Sequence, residues 1–277
     1  MRAAQGTFEF KTWGGKRRGA GRKAVARPGR PPHRRVRKRA RLSGREPVHV
    51  VLRVGAEVGR LRRRKAYQAI RRALLTVLCR GLIRVVHVSI QRNHVHLVIE
   101  AGDERLLARG VQGLEISAAR HLNAAIAVER GWARPRRGQV FVDRYHAEIL
   151  DTPRRARHAL AYVLNNWRRH REDQRGLAQR RAPIDPYSSG ISFDGWRDHP
   201  TPFAFPRGYL PLPVSSPDSW LLTTGWRRHG TISLDEVPGP AERHSGAVTS
   251  QGAPPRTAVG RLIRGRGPAT GRPCASA

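Results

Sequence analysis

Val48, Val50, Leu52 and Val54 are separated by His49, Val51 and Arg53. This period of two predicts a strand with one strongly apolar face. From about Val58 to Cys79 the period becomes helical: Leu61, Ala66, Ile70, Ala73, Leu74, Val77 and Leu78 form a stripe, with Arg62, Arg63, Arg64, Lys65, Arg71 and Arg72 around it. Leu82 to Ile90 reads as a second strand, Gln91-Arg92-Asn93 as a tight turn, and His94 to Glu100 as a third strand antiparallel to the second. Asp103 is placed to cap a helix reaching about Glu129, and Gln139 to Leu150 reads as a fourth strand. Asp151-Thr152-Pro153 then supplies a capping residue and an early-turn proline for a helix running to about Arg171. The order predicts an α+β fold: a ferredoxin-like four-stranded antiparallel sheet with helices on one face and an added C-terminal helix. The other sheet face is left for a ligand or for that helix. Beyond Arg171 the pattern weakens, and Tyr187 to Trp196 reads as an ordered extension packing its aromatics on the domain.

Both ends break these periods. Between Lys11 and Arg45 there are fifteen Lys or Arg and no Asp or Glu, interrupted by glycines and prolines. Such a segment cannot bury enough apolar surface to offset its ordering entropy. With 39% hydrophobic residues against the roughly 45 to 50% of typical domains, the chain is expected to hold one folded domain. The expected division is a disordered basic arm over 1–45, the folded domain with its C-terminal extension over 46–199, and a largely disordered tail over 200–277. Within the arm, Arg27-Pro28-Gly29-Arg30-Pro31-Pro32 has the form of an AT-hook core, alongside the simpler reading of a phosphate-neutralising arm.

The formal net charge is +34, from 54 Lys or Arg against 20 Asp or Glu. Arginine outnumbers lysine, as in GC-rich genomes, but codon usage does not explain the shortage of acids. A self-repelling chain of this kind implies a polyanionic partner, with nucleic acid leading. Arg17, Arg18, Arg22, Arg30, Arg34 and Arg35 are candidate DNA contacts in the arm, and Arg168 and Arg169 in the last helix. No stretch approaches the roughly 20 apolar residues that span a bilayer, and the first 20 residues lack a secretory apolar segment. The expectation is a cytoplasmic, nucleoid-associated protein with no membrane partner. Cys79 and Cys274 support neither a disulfide framework nor a thiolate metal site.

Strand parity supplies the chemistry. His94 and His96 point to one face of the third strand and Val95, Leu97 and Ile99 to the other. The apolar set must face the helices, which puts both imidazoles on the open face. The same parity sets His87 and Ser89 against Val86, Val88 and Ile90, and His49 and Arg53 against the valines of the first strand. In the last helix, at about 100° per residue, Ala156, Leu160, Val163, Leu164 and Trp167 form the core stripe. His158, Tyr162 and Asn166 fall four apart on the opposite side.

A His-Val-His strand followed by a helix bearing Tyr162 resembles the HUH single-tyrosine nucleases, in which U is a hydrophobic residue. The chain resembles more specifically the REP-associated tyrosine transposases, relatives of the insertion-sequence-200-like transposases. Three segments carry the likeness over roughly residues 45 to 197: Asn93-His94-Val95-His96-Leu97-Val98, Phe141-Val142-Asp143-Arg144-Tyr145-His146, and Ala161-Tyr162-Val163-Leu164-Asn165-Asn166 followed by Arg168, Arg169 and His170. The early Trp13-Gly14-Gly15-Lys16-Arg17-Arg18 is similar to Arg-rich members. The resemblance implies that His94, His96 and Asn166 bind Mg²⁺ or Mn²⁺ and that Tyr162 is the nucleophile. The implied substrate is single-stranded DNA beside a hairpin, and the implied intermediate a 5′-phosphotyrosine. Imidazole suits Mn²⁺ better than Mg²⁺.

The chain departs from the family in having Gln91 and Arg92 where Met-Pro is common, and Trp167 where a proline often follows the helix asparagine. Tyr145 competes with Tyr162 as nucleophile by position, but strand parity disfavours it. Two further readings stand beside the enzyme: a domesticated, non-catalytic DNA-hairpin-binding protein, and an RNA-binding sheet, which lacks the expected aromatic platform. Monomer and homodimer are both open.

Overall fold

A computed structural model describes residues 41–176, 180, 182–198, 208–237 and 239. Four strands, β1 (Val48–Arg53), β2 (Arg84–Ile90), β3 (His94–Glu100) and β4 (His146–Ile149), form one sheet in the order β2-β3-β1-β4, with every pairing antiparallel. The helices are α1 (Arg64–Arg80), α2 (Glu104–Arg130), α3 (Pro153–Arg169) and the single turn α4 (Trp220–Thr223). This is the expected ferredoxin-like α+β arrangement with an added helix.

Local chemistry sets the boundaries. The Asp103 carboxylate accepts from the amides of Arg105 and Leu106 and starts α2, while Thr152 accepts from the Arg155 amide and Pro153 occupies the first turn of α3. Gly81 and Gly131 close α1 and α2 in the left-handed conformation.

One core lies between the sheet and the α1/α2 layer. Val48, Val50, Leu52, Val95, Leu97 and Ile99 enter it from the strands, and Ile70, Leu74, Val111, Leu114 and Leu122 from the helices. A second core lies on the opposite face, where Val86 and Val98 meet Leu160, Val163 and Leu164 of α3. The outer side of α3 is covered by Leu221, Leu222, Trp226 and Ile232. No helix among the described residues is long and apolar enough to cross a membrane.

Several expectations are corrected. Helix α1 begins at Arg64 rather than near Val58, because Gly59 takes φ 75° and Leu61, fully buried, donates its amide to the Arg92 carbonyl. Arg62, expected on the helix surface, is buried and bonds Asp185 through both terminal nitrogens at 2.9 and 2.7 Å. In β2 the register shifts between Val85 and His87, so Val86 faces α3 with His87 instead of opposing it.

The fourth strand is short. The register that pairs Val51 with His146 would continue to set Val54 against Asp143, yet Val54 bridges Phe141, so two residues are looped out. The expected tail from residue 200 is ordered over 208–237, where Leu212, Leu222, Trp226 and Ile232 are buried. The extension at Tyr187 to Trp196 is as expected: the Ser189 amide donates to the Val88 carbonyl, the Ile90 amide to the Tyr187 carbonyl, and Phe193 packs on Trp226. Residues 1–40, with the hook-like segment and Arg17, Arg18, Arg22, Arg30, Arg34 and Arg35, lie outside the described residues.

Candidate active site

Strand pairing builds the site. His94 and His96 alternate with core-facing Val95 and Leu97, so both rings project toward α3. His96 pairs across the sheet with Val51 and Ser89, and His94 with Arg53, placing His49 diagonally from His96 on the same face. The His96 ring is 3% exposed. Its Nδ1 lies 3.0 Å from His49 Nε2, and the two rings stack with centroids 5.2 Å apart. The His94 ring stands perpendicular to that of His96 at 4.6 Å, and His94 Nδ1 lies 2.8 Å from Asn93 Oδ1.

An amide oxygen only accepts, so His94 carries its proton on Nδ1 and holds a lone pair on Nε2. His96 also has its Nδ1 engaged. Its Nε2 is buried without a protein partner. Two imidazoles are thus held by their Nδ1 atoms with Nε2 left over.

Helix α3 brings the remaining groups. The Tyr162 ring meets His96 edge-on at 5.1 Å and His49 at 5.8 Å. One turn later Asn166 is fully buried, and neither its Oδ1 nor its Nδ2 has a partner. The Arg169 guanidinium lies 5.6 Å from the Tyr162 ring centre, and the His170 ring 5.8 Å from that of His94. His49, His94 and His96 are all driven toward the neutral form, first by burial and then by neighbouring positive charge. Burial and then the neighbouring His49 lower the pKa of His96 to about 2, and those of His49 and His94 fall to about 4. Neutral imidazoles offer lone pairs.

These atoms fit a divalent cation. Buried orphaned polar atoms are uncommon in folded proteins and call for a partner. Here His96 Nε2 and Asn166 Oδ1 are two such atoms, and the His94 ring stands against that of His96. Among the described residues no three His, Cys, Asp or Glu side chains form a metal-ligating group, so an amide would have to be one of the donors.

The other predicted site residues divide. His158, expected on the Tyr162 side of the helix, is exposed to solvent. Arg168 is occupied within the fold: it pairs with Asp173 at 3.6 Å and Asp235 at 3.1 Å, and lies over the Trp167 ring. Arg169 is exposed and donates to the Gly239 carbonyl at 2.9 Å. Tyr145, the competing nucleophile, packs against the α1/α2 core, away from the histidines. Strand parity sets His49 on this face, and the family resemblance assigns it no role. A histidine one strand from a His-x-His pair was the available signal.

No family model and no curated protein matches this chain. Among the solved structures similar in part are two of stated description. One is a REP-associated tyrosine transposase bound to a REP hairpin: 13% identity over 48% of this chain and 72% of that chain, TM-score 0.37. The other is a Deinococcus radiodurans protein assigned as a transposase: 15% identity over 50% of this chain and 93% of that chain, TM-score 0.32. Both are transposases by description, and both share only part of the present chain.

Proposed function

We propose that this chain is a single-tyrosine transposase of the HUH type, a DNA-cleaving and strand-transferring enzyme. It acts on single-stranded DNA beside a hairpin through Tyr162. The observation that carries the reading is the meeting of Tyr162 with His49 and His96, with His94 against His96 and, one helix turn from Tyr162, a fully buried asparagine whose amide atoms have no partner. The +34 charge favours a nucleic-acid partner.

His94 and His96, through Nε2, and Asn166, through Oδ1, would hold Mg²⁺ or Mn²⁺. When bound, such an ion neutralises charge on the non-bridging phosphate oxygens. Tyr162 supplies the nucleophilic oxygen. A bond forms from the phenolic oxygen to phosphorus and the bond from phosphorus to the 3′-oxygen breaks. The phenolic proton is lost and the departing 3′-oxygen gains one, leaving a 5′-phosphotyrosine and a free 3′-hydroxyl. Attack by a 3′-hydroxyl on that phosphotyrosine reverses the step and transfers the strand. Arg169, positively charged and beside the Tyr162 ring, would attract the phosphate.

Incubating the full chain with hairpin-containing single-stranded DNA and Mn²⁺ should give a covalent protein–DNA adduct on a denaturing gel. Tyr162→Phe should abolish it. An adduct that survives this substitution removes Tyr162 as the nucleophile. Strong binding with no adduct in any divalent metal favours a non-catalytic hairpin-binding protein.

A further inference from the structure

Helix α2 ends at Arg130, where Gly131 takes φ 67° and the Trp132 amide donates to the Ala127 carbonyl at 2.8 Å. In a helix end of this form the residue after the glycine ordinarily packs on the preceding turn. Trp132 instead stays 45% exposed, next to Val128 at 66%.

The loop that follows is basic and held in shape. Residues 130–142 contain four arginines and no acid. Arg136 is spent on the loop itself: its guanidinium lies 3.0 Å from Asn123 Oδ1 and within 3.4 Å of the Gly138 and Gln139 carbonyls. Arg130 lies 4.9 Å from the Trp132 ring centre. Arg134 and Arg137 are exposed and make no hydrogen bond or ion pair among the described residues. The returning leg is anchored where the Gly55 amide donates to the Val140 carbonyl and the Val142 amide to the Arg53 carbonyl. Arg53 is the strand partner of His94, so the loop stands at the His94 end of the sheet.

We infer that this loop is a stacking platform for an unpaired base of single-stranded DNA, with Trp132 under the base and Arg134 and Arg137 on the flanking phosphates. A large exposed aromatic among cations, on a loop whose shape one arginine fixes, matches how single strands are gripped without base-specific readout. The inference rests on the proposed reading that DNA is the partner, and it assigns the loop as the contact leading to the site.

The test is fluorescence anisotropy of the full chain with a labelled single-stranded DNA, the same sequence as RNA, and a blunt DNA duplex, over a salt series. Trp132→Leu keeps an apolar side chain at the helix end but removes the ring, and Trp132→Phe keeps a ring. Trp132→Leu should weaken single-strand binding about tenfold with an unchanged salt slope and unchanged duplex binding, and Trp132→Phe should recover most of the loss. The Arg134→Ala, Arg137→Ala double variant should lower the salt slope on single strands by roughly 1.4, for two lost phosphate contacts. Single-strand affinity unchanged in Trp132→Leu, or an equal loss on duplex, overturns the inference. Tighter binding to RNA than to DNA overturns DNA as the occupant. A missing Tyr162 adduct alongside an intact Trp132 effect refutes the catalytic reading alone. A robust adduct alongside normal Trp132→Leu binding refutes this inference alone.

Discussion

His49 Nε2 lies 3.0 Å from His96 Nδ1, and this contact leaves the other nitrogen of His96 buried and unpartnered on a ring that meets Tyr162 edge-on. Metal-ligating histidines are oriented in this way by whatever holds their second nitrogen, and loss of that partner typically weakens metal binding about 10- to 100-fold. His49→Phe retains a ring to stack on His96 but offers no acceptor or donor. It should bind Mn²⁺ more weakly by that factor, read by electron paramagnetic resonance of free Mn²⁺, with an unchanged circular dichroism spectrum. His49→Gln, which keeps a polar partner, should recover part of the affinity. Equal Mn²⁺ affinity in wild type and His49→Phe would show that His49 does not orient His96.

Asn166 should be a residue whose removal stabilises the metal-free protein. Its amide is fully buried with no partner, and an unsatisfied buried polar group costs roughly 1 to 3 kcal/mol. Asn166→Leu, close in size, is expected to raise the urea midpoint of the metal-free chain while abolishing the DNA adduct. A lowered midpoint would show that the amide is satisfied in solution.

Acid should weaken the fold before most carboxylates titrate. Burial holds His87, His49 and His94 at a pKa of about 4, against 6.5 for an unperturbed histidine. Between these values the unfolded chain binds protons that the folded chain refuses. Stability is therefore complete above about pH 6.5 and falls as pH drops toward 4, by at most about 3 kcal/mol for a fully buried ring such as His87. Urea midpoints at pH 7.5, 5.5 and 4.5 should decline in that order, and less steeply in His87→Leu. A midpoint flat across this range would contradict the burial of these rings.

The Arg62–Asp185 pair should be a principal determinant of folding. Both groups are buried; Arg62 also donates to the Ile90 carbonyl, and Asp185 accepts from the Tyr187 amide. Asp185→Ala leaves a buried guanidinium whose nearest remaining carboxylate is Glu172, at 3.6 Å, and is expected to cost about 3 to 5 kcal/mol. Arg60→Ala, at the exposed end of the same cluster, should cost much less. Thermal unfolding of the two variants measures the difference.

The strands and helices were legible because their period is a local property. Val48, Val50 and Leu52, or Val95, Leu97 and Ile99, must share a face whatever surrounds them, and Asp103 and Thr152 cap helices with their own side chains. Parity likewise placed His94 and His96 on the face that α3 covers. What failed depended on distant partners. Arg62 looked like one surface arginine among several until Asp185, 123 residues away, took it inward. Val86 followed the strand period on paper, but the β2 register shift moved it to the other face. The apolar signal in Leu221, Leu222 and Trp226 is outweighed in the sequence by the surrounding glycine, proline and arginine, although these residues pack with α3 in the second core.

The sequence by itself determined a ferredoxin-like sheet, a strongly basic chain, and a His-x-His strand followed by a tyrosine helix, since each depends on spacing and composition. Tertiary structure decided that His49 stacks on His96, that Tyr162 meets both rings, and that Asn166 is buried without a partner. Those relations arise only when α3 packs on Val86 and Val98 of the sheet, because packing joins groups whose separation along the chain no local period can encode.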